Sequence, residues 1–336
     1  MSQIITKSSL LRLADKWLAE QKRVIGPRSA PSGQVLYAEV EDAAELSLAG
    51  YIRPANSIKD YIFPRHEKLY SYKINGRNIE LIDAELSTVE QVFIGARPCD
   101  AAAMPILDRI FNWDCSDDFF NRRRELSTII TFACKEHDDY CFCTSVNSGP
   151  EDSRGSDVIL FEIDDEKYEV RSLTDKGKKL FDGNTEESDK ISSVGPGPEI
   201  CFDLKKIKQF LDEGFESPLW KKISLGCIGC GVCTYTCPTC HCFDIVDEGN
   251  SSGGERVRNW DSCQFSMFTK HASGHNPRSS SSQRGRQRIY HKFQIYPEKF
   301  GKLLCTGCGN CSRDCPVSSG VKSVLQAVQK SIMENG

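Results

Sequence analysis

Eight cysteines in the last third of the 336-residue sequence form two copies of one spacing, Cys-x2-Cys-x2-Cys-x3-Cys-Pro. Two intervening residues allow three successive cysteines to face one cubane cluster, and in two-cluster ferredoxins the fourth cysteine binds the other cluster. The repeat therefore predicts two [4Fe–4S] clusters. Their ligands would be Cys227, Cys230, Cys233 and Cys315 for the first, and Cys305, Cys308, Cys311 and Cys237 for the second.

Two other kinds of site share part of this spacing. A four-cysteine zinc site is built from paired Cys-x2-Cys elements, but it explains two cysteines of each copy and leaves the others without a role. The spacing from Cys233 through Cys237 to Cys240 is that of a radical-SAM cluster loop, yet it lies inside the first ferredoxin motif. Two complete copies, each ending in proline, favour the pair of clusters.

A second, less regular set of cysteines lies in the N-terminal half. Its members are Cys99, Cys134, Cys141 and Cys143. Cys99 and Cys134 each follow a run that predicts a strand, at residues 90–95 and 127–133. Neighbouring strands would bring them together, and Cys141 and Cys143 share a tight loop. We predict a third [4Fe–4S] cluster here; the alternative is reduced thiols that pack as small hydrophobic groups.

Five of the seventeen cysteines remain. Cys115 and Cys201 belong to no motif, and we interpret them as structural. The other three, Cys240, Cys242 and Cys263, would hold an additional cluster or metal, or act as redox thiols. Three histidines are candidate partners for them: His241, His275 and His291.

The composition explains why so many cysteines indicate metal binding. The first twenty residues lack the uninterrupted apolar core of a signal peptide, and no run approaches the ~18 apolar residues of a membrane span. We therefore expect a cytoplasmic protein without a membrane span, in which thiols stay reduced and dense cysteine points to metal ligation. The net charge of -4 gives no general affinity for nucleic acid.

A basic stretch lies between the two motif copies. It contains Arg278, Arg284, Arg286, Arg288, His291 and Lys292. No helix–turn–helix or other base-reading motif accompanies it, so we expect no nucleic-acid partner. Thiolate-ligated clusters are anions, so we predict that these cations stabilise the clusters or dock an acidic partner. A solvated loop is the alternative.

The predicted helices and strands that must position these cysteines indicate an α+β fold. An N-terminal mixed α/β domain, residues 1–205, would carry the irregular cysteine set. A bacterial ferredoxin-like dicluster domain, residues 206–336, would follow, with a long insertion at about 239–300. Helical spacing is visible at residues 10–18 and 203–215, and the polar residues 182–198 predict a loop.

Several strings occur in an order that resembles a known family. They are Arg97-Pro98-Cys99-Asp100, Cys141-Phe142-Cys143, Cys237-Pro238-Thr239-Cys240-His241-Cys242, Trp260-Asp261-Ser262-Cys263 and Gly274-His275-Asn276-Pro277-Arg278. The chain is similar, over residues 90–320, to a family of dicluster iron–sulfur proteins. That family includes the dicluster component of anaerobic sulfite reductases and the beta subunit of sulfhydrogenases. Similar proteins accompany heterodisulfide-reductase-like complexes.

The resemblance implies an electron-transfer subunit of an anaerobic multisubunit oxidoreductase. Such a subunit relays single electrons between a flavin- and NAD(P)-binding subunit, of the ferredoxin-reductase type, and the catalytic subunit. The catalytic partner would be a hydrogenase, a sulfite reductase or a heterodisulfide-reductase-like subunit.

Two rival functions stay open. One is a self-contained iron–sulfur reductase of sulfur or sulfite that uses Cys240, Cys242 and Cys263. The other is a zinc-stabilised binding module. The sequence contains no Gly-x-Gly-x-x-Gly loop after a strand and no P-loop, so no flavin or NAD site is evident. We therefore expect a relay subunit without catalytic residues of its own.

Overall fold

Two β-sheets organise the chain, of which the computed structural model describes residues 2–189, 192 and 194–335. One sheet has eight strands and the other has four. In chain order, the strands of the described residues are β1 (Ser2–Thr6), β2 (Arg23–Ser29), β3 (Val35–Val40), β4 (His66–Asn75), β5 (Asn78–Asp83), β6 (Gln91–Ala96), β7 (Ser127–Phe132), β8 (Val158–Asp164), β9 (Lys167–Ser172), β10 (Glu186–Ser188), β11 (Phe243–Asn250) and β12 (Gly253–Trp260).

Helices cover the sheets and form most of the C-terminal part. They are α1 (Lys7–Ala19), α2 (Lys59–Ile62), α3 (Pro98–Ala101), α4 (Met104–Ile110), α5 (Asp118–Leu126), α6 (Asp175–Phe181), α7 (Leu204–Glu213), α8 (Leu219–Ile223), α9 (Val232–Tyr235), α10 (Ser281–Tyr290), α11 (Tyr296–Phe300), α12 (Asn310–Arg313) and α13 (Val321–Asn335). Short 3-10 turns lie at Ala43–Glu45 and Cys143–Val146, and one π-helical turn at His291–Ile295 joins α10 to α11.

The larger sheet has a parallel centre and antiparallel edges. Its order is β10-β1-β9-β8-β7-β6-β2-β3, and the strands β2, β6, β7 and β8 run parallel. Every residue of β6 is buried, as expected for a strand covered on both faces. Because the parallel neighbours β6 and β7 end at the same edge, the segments that follow them start side by side.

The smaller sheet joins distant parts of the sequence. Its order is β11-β12-β4-β5, so the hairpin of the insertion pairs with a hairpin from the N-terminal half. Arg258 on β12 is buried and donates a hydrogen bond from Nε to the Glu67 carboxylate on β4 at 3.1 Å. A buried guanidinium needs such a partner, since an isolated buried charge is very unfavourable.

The C-terminal helices enclose the two cysteine motifs. Buried Trp220 of α8, Ile289 of α10 and Leu325 of α13 belong to one apolar core, which also includes Cys311. Helix α10 begins with a capping box, in which Ser280 and Gln283 bond each other's backbone N–H groups. The motif loops are thus held between packed helices.

Several expectations from the sequence are confirmed. The predicted strands at residues 90–95 and 127–133 are β6 and β7, and the predicted helices at 10–18 and 203–215 are α1 and α7. The chain is a mixed α/β protein.

The expected loop at residues 182–198 is interrupted by β10, which pairs with β1. Residues 190, 191 and 193 of that stretch lie outside the described residues. The domain boundary near residue 205 stays a prediction. Among the helices of the described part of the chain, none has both the length and the apolar composition to cross a membrane.

Candidate iron–sulfur sites

The first set of predicted ligands, here named site A, lines one cavity. Site A consists of Cys227, Cys230, Cys233 and Cys315. Gly229 and Gly231 beside it have φ of +69° and +75°, a backbone conformation that glycine adopts without steric cost. Turns of this kind make concave loops that favour anions. Cys230 is exposed, so site A lies at the protein surface.

The second set, site B, lies deeper in the protein. It consists of Cys237, Cys305, Cys308 and Cys311. Cys237, Cys308 and Cys311 are buried, with 6%, 8% and 5% of their surface exposed. Burial raises the pKa of Cys305 to about 12, and the nearby Cys237 and Cys311 act in the same direction. The fourth cysteine of the first motif copy therefore stands beside the second copy, as the ferredoxin pattern requires.

The irregular N-terminal set, site C, also lines one cavity. It consists of Cys99, Cys134, Cys141 and Cys143. Cys99 lies in α3, directly after β6, and Cys134 follows β7, so the parallel strands deliver both to one edge. Cys141 and Cys143 come from the loop beyond β7. The ion pair of Asp138 with Arg313, at 2.6 Å, fastens this loop to α12.

Sites B and C are in direct contact. The N–H group of Phe142, between the two loop cysteines of site C, donates to the Gly307 carbonyl at 2.9 Å. Gly307 has φ of +69°, and a Cβ atom there would lie 2.5 Å from the Cys143 Cα atom. Only glycine allows so close an approach, because the atom it would meet belongs to the backbone.

A buried arginine bridges the same two sites. Arg53 donates from Nη1 to the Cys99 Sγ atom at 3.4 Å and to the Cys308 carbonyl at 3.0 Å. Its Nη2 atom pairs with the buried Asp100 carboxylate at 3.1 Å. Burial alone would lower the pKa of Arg53, but Cys99 and Asp100 together keep it well above its usual value. A permanent positive charge therefore lies between sites B and C.

Three more cations lie buried beside the cysteine motifs. Lys59 and Lys292 are each 1% exposed and Arg288 is 5% exposed. Lys292 Nζ contacts the Cys237 Sγ atom at 3.4 Å, Lys59 Nζ donates to the Cys240 carbonyl at 2.9 Å, and Arg288 donates to the Cys233 carbonyl at 2.9 Å. Buried cations need anions nearby, and thiolate-ligated clusters are anions.

The thiols themselves fit metal ligation. Burial raises the pKa of Cys143 and Cys233 to about 12 and raises the pKa of Cys99 and Cys134 above the usual value. Without a metal these groups are neutral thiols at pH 7, whereas a coordinating thiol loses its proton outright. Sites A, B and C thus have the ligand number and chemistry that [4Fe–4S] clusters need.

The three additional cysteines are not equivalent. Cys240 donates a hydrogen bond to Cys237, which together with Lys292 lowers the pKa of Cys237. Cys242 instead donates to Cys263, and this bond lowers the pKa of Cys263 to about 6. The structure therefore separates the predicted trio into one cysteine beside site B and one pair of cysteines.

The remaining candidates make local contacts. Cys115 is exposed, and Cys201 lies 3.3 Å from the Ser145 hydroxyl. The rings of His241 and His291 meet edge to face with centroids 5.4 Å apart. His275 contacts His271 instead. No group of three or more His, Cys, Asp or Glu side chains in the described residues has the spacing for a single metal ion.

The sequence predicted some of the cations that lie beside the cysteines. The basic stretch was expected to support the clusters, and Arg288 and Lys292 from it do turn inward. Arg53 and Lys59 were missed. In the sequence, each lies far from any cysteine motif. Only the structure shows that their side chains are buried beside the cysteines.

Comparison with known proteins agrees with this geometry. Residues 226–319 match the family described as a 4Fe-4S dicluster domain. The chain is 30% identical over 329 residues to sulfhydrogenase 2 subunit beta of Pyrococcus furiosus, covering 94% of this chain and 95% of that protein. No solved structure gives a significant match.

The C-terminal part is thus a ferredoxin-like dicluster domain of the kind that binds [4Fe–4S] clusters. Because the similarity extends over almost the whole length of both proteins, the chain belongs to the dicluster iron–sulfur family that includes the sulfhydrogenase beta subunits.

Proposed function

We propose that this chain is the electron-transfer subunit of a multisubunit oxidoreductase of the hydrogenase type. Sites A and B would hold its two ferredoxin-type clusters and site C a third [4Fe–4S] cluster. When bound, each such cluster takes up and releases one electron at a potential set by charge, hydrogen bonds and exposure. The observation that carries the proposal is the convergence of each predicted cysteine set, together with buried cations that need anions.

The contacts between the sites define an order for the relay. Site C touches site B through Gly307 and Arg53, and site B adjoins site A because Arg288 lies close to Cys233 and Cys311. Electrons would pass from C through B to A, or in reverse. Since Cys230 is exposed, site A would be the end that faces one of the partner subunits.

The partners follow from the family. The relative's name assigns it to a sulfhydrogenase. We therefore propose that one end of the relay contacts a catalytic hydrogenase subunit, while the other end contacts a flavin- and NAD(P)-binding subunit. A sulfite reductase or a heterodisulfide-reductase-like subunit would use the same relay. In each case the chain would work in an anaerobic cytoplasm, which keeps the thiols reduced.

The test is metal analysis of full-length protein purified without oxygen. We expect about twelve irons and as many sulfides per chain, four for each cluster, and three one-electron centres in a redox titration followed by electron paramagnetic resonance. Replacing two cysteines of one site, for example Cys99→Ser with Cys134→Ser, should remove about four irons and one signal. Cys115→Ser is the matched control and should change neither.

Two results would contradict the proposal. Fewer than eight irons per chain would exclude the dicluster assignment of sites A and B. Turnover of sulfite or sulfur by the isolated chain with an artificial electron donor would favour the alternative of a self-contained reductase.

A further inference from the structure

The hairpin of the insertion brings two cysteines together at its open end. Cys242 immediately precedes β11 and Cys263 lies just beyond β12. The strand ends are in register, since Phe243 pairs with Trp260. The ladder continues one step further, where the Asp261 N–H group donates to the Cys242 carbonyl at 2.9 Å. The backbone therefore places Cys242 opposite Asp261, and Cys263 follows two residues further along the chain.

Their sulfur atoms also contact each other. The Cys242 thiol donates a hydrogen bond to the Cys263 sulfur, and the Cys263 N–H group donates to the Cys242 sulfur. The Gln264 side chain donates to the Cys263 Sγ atom at 3.4 Å. Cys263 thus accepts two hydrogen bonds, which favour its thiolate. Both cysteines are only partly buried, so small molecules can reach them.

This arrangement differs from that of sites A and C. The four thiolates of a cubane cluster bind four different irons, so ligand sulfurs stand apart around a cavity, as the cysteines of those two sites do. The sulfurs of Cys242 and Cys263 instead share a hydrogen bond. Cys240 does not complete the pair, because its thiol is bonded to Cys237.

We propose that Cys242 and Cys263 form a redox-active dithiol, which closes to an intramolecular disulfide by exchange with small disulfide compounds. The site would add a two-electron centre to a chain whose clusters carry single electrons. Neither cysteine belongs to the predicted ligand sets of sites A, B and C, although Cys263 lies close enough to Cys233 of site A to raise the pKa of that thiol.

The thiol–disulfide exchange proceeds in two steps. The Cys263 thiolate attacks one sulfur of a disulfide RSSR, which forms a Cys263–S–S–R bond and releases RS⁻. Cys242 then loses its proton and attacks the Cys263 sulfur, which closes the protein disulfide and releases a second RS⁻. The two cysteines lose two electrons and two protons, and RSSR leaves as two RSH molecules.

The proposal is tested on the cluster-loaded full chain under anaerobic conditions. The protein is reduced with dithiothreitol, freed of it and incubated with glutathione disulfide. Remaining thiols are then alkylated, and the peptides are identified by mass spectrometry. We expect one disulfide-linked peptide pair containing Cys242 and Cys263, release of two glutathione molecules per chain, and reversal by dithiothreitol.

Single variants separate the two roles. Cys242→Ser should retain glutathione on Cys263, because the resolving thiol is missing, while Cys263→Ser should prevent the linked pair. Cys115→Ser, at an exposed cysteine outside the pair, should still form it.

Two outcomes would overturn the proposal. One is alkylation of both cysteines after the disulfide treatment. The other is a loss of about four irons in the Cys242→Ser Cys263→Ser double variant, which would make the pair cluster ligands. The signals of sites A, B and C are recorded on the same samples, so a failure of the electron-transfer proposal is recognised separately.

Discussion

The buried Arg53 guanidinium lies 3.4 Å from the Cys99 sulfur and also pairs with the buried Asp100 carboxylate. A hydrogen bond to a ligand sulfur and a positive charge both stabilise the reduced, more negative state of a cluster. Through this contact, a residue from a distant part of the sequence places a positive charge beside site C. Its effect on the midpoint potential of site C can be measured.

Replacing this arginine should lower the midpoint potential of site C. Removing a hydrogen bond to a charged group costs about 1.5–3 kcal/mol, and 59 mV corresponds to a tenfold change for one electron. We expect a fall of up to roughly 65–130 mV in an anaerobic redox titration of Arg53→Gln Asp100→Asn, because the loss of the Asp100 charge offsets part of the effect. The second substitution avoids leaving the buried Asp100 carboxylate without its partner.

The control for this change is Arg109→Gln. Arg109 is exposed and donates to the Phe300 carbonyl, away from the cysteines of site C. The double variant keeps the net charge of the protein, whereas Arg109→Gln lowers it by one, so a shift in the control would show that net charge alone moves the potential. No shift in the double variant would contradict a role of the Arg53 contact.

Gly307→Ala should separate site C from site B. The new Cβ atom would lie 2.5 Å from the Cys143 backbone, so the loop of site C must move. We expect the loss of about four irons per chain and of the site C signal in electron paramagnetic resonance.

Gly183→Ala is a matched control for that substitution. Gly183 has φ of +68°, almost the same as Gly307, but a Cβ atom there would meet nothing within 4 Å. The control should cost only the strain of the left-handed conformation, about 1–2 kcal/mol, with iron content unchanged. Equal iron loss in both variants would show that strain, and not contact with Cys143, disrupts the site.

Lys292→Met should weaken site B. The methionine fills most of the buried volume but removes the charge that contacts the Cys237 sulfur at 3.4 Å. We expect a lower midpoint potential at site B, by roughly 65–130 mV on the same reasoning, and faster loss of iron to a chelator. Lys330→Met, at an exposed lysine of α13, should behave like the unmodified protein.

Acid should destabilise the protein through two histidines. Burial lowers the pKa of His241 to about 4 and that of His291 to about 3, from 6.5. Between these values and 6.5 the unfolded chain binds more protons, so stability falls as the pH drops below 6.5. Each histidine should reduce the free energy of unfolding by about 2 kcal/mol between pH 7.5 and pH 5.

The measurement is anaerobic denaturant unfolding at both pH values. His291→Gln should reduce the pH-dependent loss by about half, whereas His271→Gln, at an exposed histidine, should leave it unchanged. If His291→Gln had the full pH dependence, acid would be acting on other groups.

The cysteine sets were accessible from the sequence because spacing is a local property. Cys227 and Cys305 each open a complete motif, and the strands before Cys99 and Cys134 have a clear apolar pattern. The sequence therefore predicted which cysteines line each of the two cavities. The residue-level assignment of clusters to them is still a prediction.

Contacts between distant segments could not be predicted in this way. Lys68 and Val257 face each other across two strands, yet neither strand has a strong alternating pattern, since several of their residues are partly exposed. The burial of Arg53 and the pairing of Cys242 with Cys263 likewise depend on which segments meet. A single charged or sulfur-containing residue is not part of a repeated sequence pattern, so the sequence does not indicate which distant residue it contacts.

The pairing of β12 with β4 limits how the protein can be divided. A fragment that begins near residue 206 would keep both ferredoxin motifs but lose β4, so β12 would become an open edge with unsatisfied backbone groups. The same cut would remove Lys59 and Arg53 from beside the cysteines. An isolated C-terminal fragment should therefore aggregate and assemble its metal centres poorly. The N-terminal and C-terminal parts of the chain would have to be expressed and engineered together as one polypeptide.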